Sequence, residues 1–182
     1  MATAEECKSN IFATPIWGFE LRVEKFHLPD YVEYIIDMCK NQESAKKSNF
    51  GGWQSHEDLH KEAIFLELNK SINAVCHTCI AGSYIQDMWA NVNFYKDFNG
   101  QHIHDGVLSG VFYLSVPKNS GNLVLVDPRP SGILKNNFSI KPEPLALVLF
   151  PSWLEHYVEP NLSNEPRISI SFNAMVDNER FK

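Results

Sequence analysis

Arg167-Ile-Ser-Ile-Ser-Phe-Asn-Ala174 decides the fold. In a strand, side chains alternate between two faces. Arg167, Ser169, Ser171 and Asn173 therefore share one face, and Ile168, Ile170, Phe172 and Ala174 share the other. A solvent-facing strand could show the same alternation. However, no Lys, Glu or Asp occurs from 166 to 176. Small hydroxyls with a single guanidinium suit a polar barrel interior better than bulk water.

The period of two extends upstream. After Gly82, Met88, Ala90, Val92 and Phe94 alternate with Trp89, Asn91, Asn93 and Tyr95. Short strands are predicted near 107–116, 122–127, 138–141, 146–150, 156–159 and 166–175. Turn signals separate them at Asn99-Gly100, Pro117 to Gly121, Pro128 to Gly132 and Asn161 to Pro166. Earlier still the pattern is helical. Pro29 suits the first helical position before Tyr31 to Lys40. Ser55 with Asp58 resembles a capping box opening a long amphipathic helix to about Ile80. Phe12 to Leu21 reads as a strand bent by Pro15, and the polar stretch Gln42 to Gln54 reads as a loop. Two helices followed by many short strands predict an α+β, mainly β, protein with a sandwich or jelly-roll body. At 182 residues, one domain over 1–182 is expected, with a helical part at about 28–82 and a β core at about 85–176.

The composition is that of an ordinary globular protein, 44% hydrophobic and 21% charged. A net charge of −6 without a Lys/Arg cluster argues against a nucleic-acid partner. The longest apolar run, Leu145 to Phe150, is too short to span a bilayer. Met-Ala-Thr-Ala-Glu-Glu is not a secretory n-region, so a soluble, cytoplasmic protein is expected. Cys76-His-Thr-Cys79 could be a redox pair or half a zinc site. No second Cys pair completes such a site, and Phe65, Leu68, Ile72, Val75, Cys76 and Cys79 fall at helical spacing. A buried helix face is the expectation.

His102 and His104 stand two apart, so in a strand both imidazoles face one way and Ile103 the other. His156 follows after Phe150-Pro-Ser-Trp-Leu-Glu155. Three imidazoles brought together can hold a divalent metal and leave coordination positions open. The planar fork of Arg167 can grip a carboxylate bidentately, with Ser169 on the same strand face as a second donor.

Six blocks occur in a fixed order: Trp89-Ala-Asn-Val-Asn93, His102-Ile-His104, Leu108-Ser-Gly-Val-Phe-Tyr-Leu114, Leu125-Val-Asp-Pro-Arg129, Leu149 to His156, and Arg167 to Asn173. Over about Ile11 to Asn173 this pattern resembles the Fe(II)- and 2-oxoglutarate-dependent oxygenases, and a subgroup of them found in bacterial and phage genomes. The resemblance implies a double-stranded β-helix (jelly roll, cupin-like) with the N-terminal helices packed outside. It implies Fe(II), 2-oxoglutarate and dioxygen, and hydroxylation of a small molecule or side chain. It assigns His102, His104 and His156 to the metal, and Arg167 to the far carboxylate of 2-oxoglutarate. Ser169, Asn93 and Tyr113 become co-substrate contacts, Arg129 a competing clamp or substrate contact, and Trp153 a wall of the site. Gly51-Gly-Trp-Gln-Ser55 becomes a lid. The superfamily motif is His-x-Asp…His, whereas this chain has His-x-His, as the subgroup does, followed by Asp105 where the subgroup commonly has Pro. Either His104 or Asp105 completes the metal site, and alternation favours His104. Two other readings are a cupin-like three-His metalloenzyme that does not use 2-oxoglutarate and a non-catalytic β-sandwich binding module.

Overall fold

A computed structural model describes residues 13–21, 27–129 and 136–177. In chain order its strands are β1 (Trp17–Glu20), β2 (Asn49–Phe50), β3 (Trp53–Gln54), β4 (Ser83–Asn93), β5 (Phe98–His102), β6 (Leu108–Ser115), β7 (Leu123–Leu125), β8 (Phe138–Ile140), β9 (Ala146–Pro151), β10 (His156–Val158) and β11 (Arg167–Val176). Its helices are α1 (His27–Asn41) and α2 (Leu66–Cys79). One sheet has the order β1-β9-β6-β11-β4-β3, and the facing sheet has the order β2-β5-β10-β7-β8. All the pairings between these strands are antiparallel. This is the mainly β jelly-roll body that the strand pattern predicts, and the double-stranded β-helix that the resemblance implies.

β11 sits at the centre of the larger sheet, between β4 and β6. Its apolar set, Ile168, Ile170, Phe172 and Ala174, is buried with Met88, Ala90 and Val92 of β4 and with Leu108 and Phe112 of β6. Tyr31 and Ile35 of α1 and Leu68, Ile72 and Cys76 of α2 close this core from outside. Each such aliphatic or aromatic side chain contributes about 1.5–3 kcal/mol on full burial. The helices therefore cover one face of the sheet and leave the polar face of β11 to look into the space between the sheets. Val111, Tyr113, Leu123, Leu125, Val148, Phe150 and Leu154 fill part of that space.

Gly110 lies opposite Phe172 across the β6–β11 pair. A Cβ there would stand 2.3 Å from the Phe172 ring. Gly110→Ala is therefore expected to overpack this core and destabilise the protein by about 1–3 kcal/mol. Denaturant unfolding would check this, and an unchanged midpoint would contradict it.

The structure corrects several local expectations. The long helix does not begin at Ser55. Two 3-10 turns, Leu59–Lys61 and Ala63–Phe65, come first, because Glu62 between them is extended at φ −69°, ψ 133°. The Ser55 hydroxyl accepts from the amide of Ala90 instead of capping a helix. Helix α1 starts two residues before Pro29, so the proline sits within its first turn. The segment read as a loop, 42–54, contains β2 and β3, joined through Gly51 and Gly52 at φ 69° and 63°. β2 adds to one sheet and β3 to the other, so this stretch forms a corner between them, not a free lid. Asn99-Gly100 is not a turn but lies inside β5; the turn falls at Phe94–Asp97, with Lys96 at φ 71°. The predicted first strand begins only at Trp17, beyond Pro15; Phe12, like residues 130–132 of the Pro128–Gly132 turn, lies outside the described residues. Cys76 is fully buried on α2 and its thiol is pushed up to about 12, first by desolvation, as a core residue would be. No helix among the described residues is long and apolar enough to cross a membrane.

Candidate active site

Two adjacent strands of the smaller sheet bring two imidazoles together. His102 ends β5, His156 opens β10, and the two are direct antiparallel partners. His104 lies beyond the strand end, which corrects the expectation of one strand carrying both His102 and His104. Its amide donates to the Ser152 carbonyl at 3.0 Å, which fixes it beside the sheet. Ile103 points outward, 60% exposed, so the alternation continues past the last ladder bond. One nitrogen from each of the three rings lies within 4.8 Å of the others. Ring centroids are 4.7 Å apart for His102–His104, 4.4 Å for His102–His156 and 5.1 Å for His104–His156.

Hydrogen bonds and burial set the imidazoles' state. Nδ1 of His102 lies 2.6 Å from the Gly100 carbonyl, and Nδ1 of His156 lies 2.9 Å from the Leu154 carbonyl. A carbonyl only accepts, so Nδ1 of each ring carries the proton and the Nε2 lone pair is free for a metal. Desolvation lowers the pKa of all three histidines; together with the neighbouring imidazoles it brings His104 to about 4 and His156 to about 3. All three are neutral at pH 7. Asp105 is exposed, sits in a bend before Gly106 at φ 113°, and is not part of the cluster.

The cluster borders a small cavity of about 50 Å³ between the sheets. The polar face of the larger sheet forms its floor. Register pairs Arg167 with Asn93, Ser169 with Asn91, and Ser171 with Trp89. All six line the cavity, as does Tyr113 of β6. Arg167 is 1% exposed. Its Nη1 donates to the Ser120 carbonyl and, more weakly, to those of Gly121 and Glu159 at 3.5 and 3.4 Å. Its Nη2 is buried and without a partner. No carboxylate forms an ion pair with this guanidinium among the described residues. Burial pushes the Tyr113 hydroxyl up to about 12, so it stays protonated. Asn93 donates to Asn99 at 3.3 Å, and its carbonyl accepts from Asn161 at 2.9 Å.

Two sequence candidates lie elsewhere. Arg129 forks onto Asp127, whose carboxyl it holds well below the usual range, and lines a separate depression with Thr14, Ile16 and Phe138. Trp153 is 54% exposed and does not line the cavity. Conversely, Ser48, Asn91, Asn99, Ser109 and Ser171 line it without having been singled out. Asn91 and Ser171 were legible, because they share strand faces with Asn93 and Arg167. Ser48 was not, because it comes from the stretch read as a loop.

Two sheet residues, Ser109 and Asn173, and Ser152 of the turn after β9 form a buried polar link. The Ser109 hydroxyl donates to Asn173 Oδ1 at 2.8 Å and lies 3.0 Å from that of Ser152. The link ties β6, β11 and the approach to β10 together just below the imidazoles.

Known proteins share this architecture. SnoN, a non-haem α-ketoglutarate-dependent epimerase of nogalamycin biosynthesis solved with Fe3+, α-ketoglutarate and nogalamycin RO, superposes with a TM-score of 0.74 at 13% identity, over 88% of this chain and 78% of that one. A Pseudomonas putida prolyl-4-hydroxylase superposes at 0.68 and 14% identity, over 89% and 92%. HygX from Streptomyces hygroscopicus, solved with nickel and 2-oxoglutarate, superposes at 0.68 and 10% identity, over 90% and 83%. These similarities establish the fold. No curated protein matches the sequence. A family model described as "Putative 2OG-Fe(II) oxygenase" matches residues 87–173, the segment that carries the three imidazoles and Arg167. Over that segment the chain is similar to the Fe(II)- and 2-oxoglutarate-dependent oxygenases, and the same segment carries the histidine cluster.

Proposed function

We propose that the protein is a non-haem Fe(II)- and 2-oxoglutarate-dependent dioxygenase that hydroxylates a C–H bond of an organic substrate. One observation carries this reading. Three neutral imidazoles converge at the rim of a polar cavity that holds a buried arginine with an unbonded nitrogen. The donor set fits iron, which accepts imidazole nitrogens and keeps positions open for other ligands. The orphaned Nη2 of Arg167 fits a carboxylate, since an unpaired buried donor of a charged group is otherwise strongly disfavoured.

In this reading His102, His104 and His156 hold the metal. Arg167 fixes the far carboxylate of 2-oxoglutarate, with the Ser169 hydroxyl and the Tyr113 hydroxyl as further donors and Asn93 beside them. The Gly100 and Leu154 carbonyls keep two imidazoles in the ligating tautomer. The apolar cluster around Phe150 and Leu154 keeps water from that side of the metal. When bound, iron and co-substrate supply the oxidising chemistry: 2-oxoglutarate and dioxygen yield succinate and carbon dioxide, and the remaining oxygen atom enters the substrate C–H bond. Residues 1–182 act as one domain, the helices supporting the sheet that carries Arg167. Free cysteines at 39, 76 and 79 support a reducing, cytoplasmic setting.

Paired variants test the ligand set. Asp105→Asn is expected to keep stoichiometric iron, because the carboxylate is exposed and apart from the cluster. His104→Ala is expected to lose it. Iron content after anaerobic reconstitution and desalting is the readout. The opposite pattern would make Asp105 the third ligand and give the two-His, one-carboxylate site.

A further inference from the structure

We propose that the groove outside the imidazole cluster binds a substrate carrying a cationic amine or guanidinium on an apolar stem, held by the Asp87 carboxylate and Gln54 Oε1. This rests on the dioxygenase reading, in which the inner cavity is taken by the co-substrate. The β4–β11 register sets the layout. Arg167 and Asn93 form one end of the polar floor, Ser171 and Trp89 the middle, and Asn173 and Asp87 the other end. The Trp89 ring is 5.5 Å from the His104 ring, so the imidazoles lie over the middle. A base therefore lies on one side of the metal position and an acid on the other.

The outer end opens into a groove lined by Phe50, Gln54, Asp87, Trp89, Ile103 and His104. Its other charges are Lys47, Glu57 and Asp105. Lys47 pairs with Glu57 at 3.4 Å, while neither Asp87 nor Asp105 has an ion-pair partner among the described residues. An acidic rim alone would say little. Gln54 adds an independent observation: it is 2% exposed, lines this groove, and its Oε1 has no hydrogen-bond donor. A buried acceptor is disfavoured unless a donor reaches it. Gln54 is the register partner of Asn91, whose Oδ1 is likewise buried and unpaired. The unmet acceptor of Gln54 and a carboxylate without an ion-pair partner call for a donor-rich, positive group in this groove. Burial and then Glu57 raise the Asp87 pKa, more than the Asn173 amide, His60 and Lys47 lower it, so a cation at the carboxylate would favour its charged form.

The spacing suits a stem of several carbons. Asp87 and Trp89 are two residues apart on one strand face, about 7 Å. An ammonium at Asp87 would thus place carbons four or five bonds away near the imidazoles. The Trp89 ring can face a cation or its stem. Phe50 and Ile103, both largely exposed, give an apolar rim for the rest of the molecule.

The test uses protein loaded with Fe(II) and, without oxygen, with 2-oxoglutarate. Calorimetric titrations compare L-lysine, L-arginine and N-acetyl-L-lysine amide with the neutral L-norleucine and L-citrulline. The cations should bind at least about tenfold tighter, and Asp87→Asn should erase that preference without changing 2-oxoglutarate affinity. Gln54→Leu should weaken the same compounds while raising the Tm of the ligand-free protein by about 2–4 °C, which a purely structural Gln would not do. Tighter binding of the capped lysine points to a side chain in a peptide, and tighter binding of the free amino acids to a small metabolite. Equal affinity for cations and neutral compounds, no saturable binding by any cation, or a preference that survives Asp87→Asn would overturn the proposal. The same titrations in protein loaded with iron alone separate the two claims. Failure of 2-oxoglutarate to bind would sink the dioxygenase reading, whereas the cation preference is measured independently of it.

Discussion

His156→Ala is expected to reduce iron affinity by more than about 100-fold. Losing an outer partner of a metal ligand already costs 10–100-fold, and His156 is proposed as a ligand itself. It is the most buried of the three imidazoles and the one tied to both neighbours of its sheet, pairing with His102 of β5 and Leu125 of β7. The change leaves Phe150 without its ring contact at 4.7 Å, so circular dichroism must first show that the fold survives. Iron is then measured after anaerobic loading. Full retention of iron in a folded variant would remove His156 from the metal site.

Arg167→Leu is expected to cost at least about tenfold in 2-oxoglutarate affinity while iron stays bound. Removing one partner of a buried, hydrogen-bonded charge pair typically costs about 2–5 kcal/mol. Nη1 of the guanidinium is held by backbone carbonyls, which leaves the buried Nη2 without a partner and available to the proposed carboxylate. A lysine has no such fork, so Arg167→Lys is expected to recover little of the loss despite keeping the charge. Equilibrium dialysis of labelled 2-oxoglutarate against each variant, with iron present and oxygen absent, reads the effect. Unchanged affinity in Arg167→Leu would leave the clamp to another group. Arg129 is poorly placed for it, being forked onto Asp127 in a different depression.

Most of the strand architecture was legible because period-two alternation is clear over 88–95 and 167–174 and turn signals bound most of the runs between. Each run from Leu108 to Val176 was located to within a residue or two. The β11 pattern also told which face is wet, because Ser, Asn and Arg opposite Ile and Phe admit few other arrangements. Legibility failed where tertiary contacts override local preference. Ser55 carried a capping signal, yet its hydroxyl serves the Ala90 amide on β4, thirty-five residues away. Gly51 and Gly52 read as loop residues, whereas their positive φ values turn the chain from one sheet to the other. That corner supplies Ser48 to the cavity and Gln54 to the groove, so the residues hardest to find came from the segment hardest to read.

The same contrast holds within the site. His102 and His156 could be grouped from spacing and a flanking strand. His104 joins them because the alternation continues past the last ladder bond, with Ile103 pointing outward. Its position is fixed by the Ser152 carbonyl beyond the end of β5. Arg167 could be placed on the inner face, but the three carbonyls that orient it come from 120, 121 and 159, far along the chain. No local pattern encodes such a cradle. Arg129 and Trp153 lay in matching blocks of sequence, yet their own side chains fall outside the cavity.

The most direct measurement of the central claim is the binding of 2-oxoglutarate to wild-type protein by anaerobic equilibrium dialysis, with and without Fe(II). The account predicts saturable, iron-dependent binding at one molecule per chain, since the chelated metal and Arg167 grip opposite ends of the same acid. Stoichiometric iron without any iron-dependent 2-oxoglutarate binding would contradict it, and would leave a three-histidine metal centre of another chemistry.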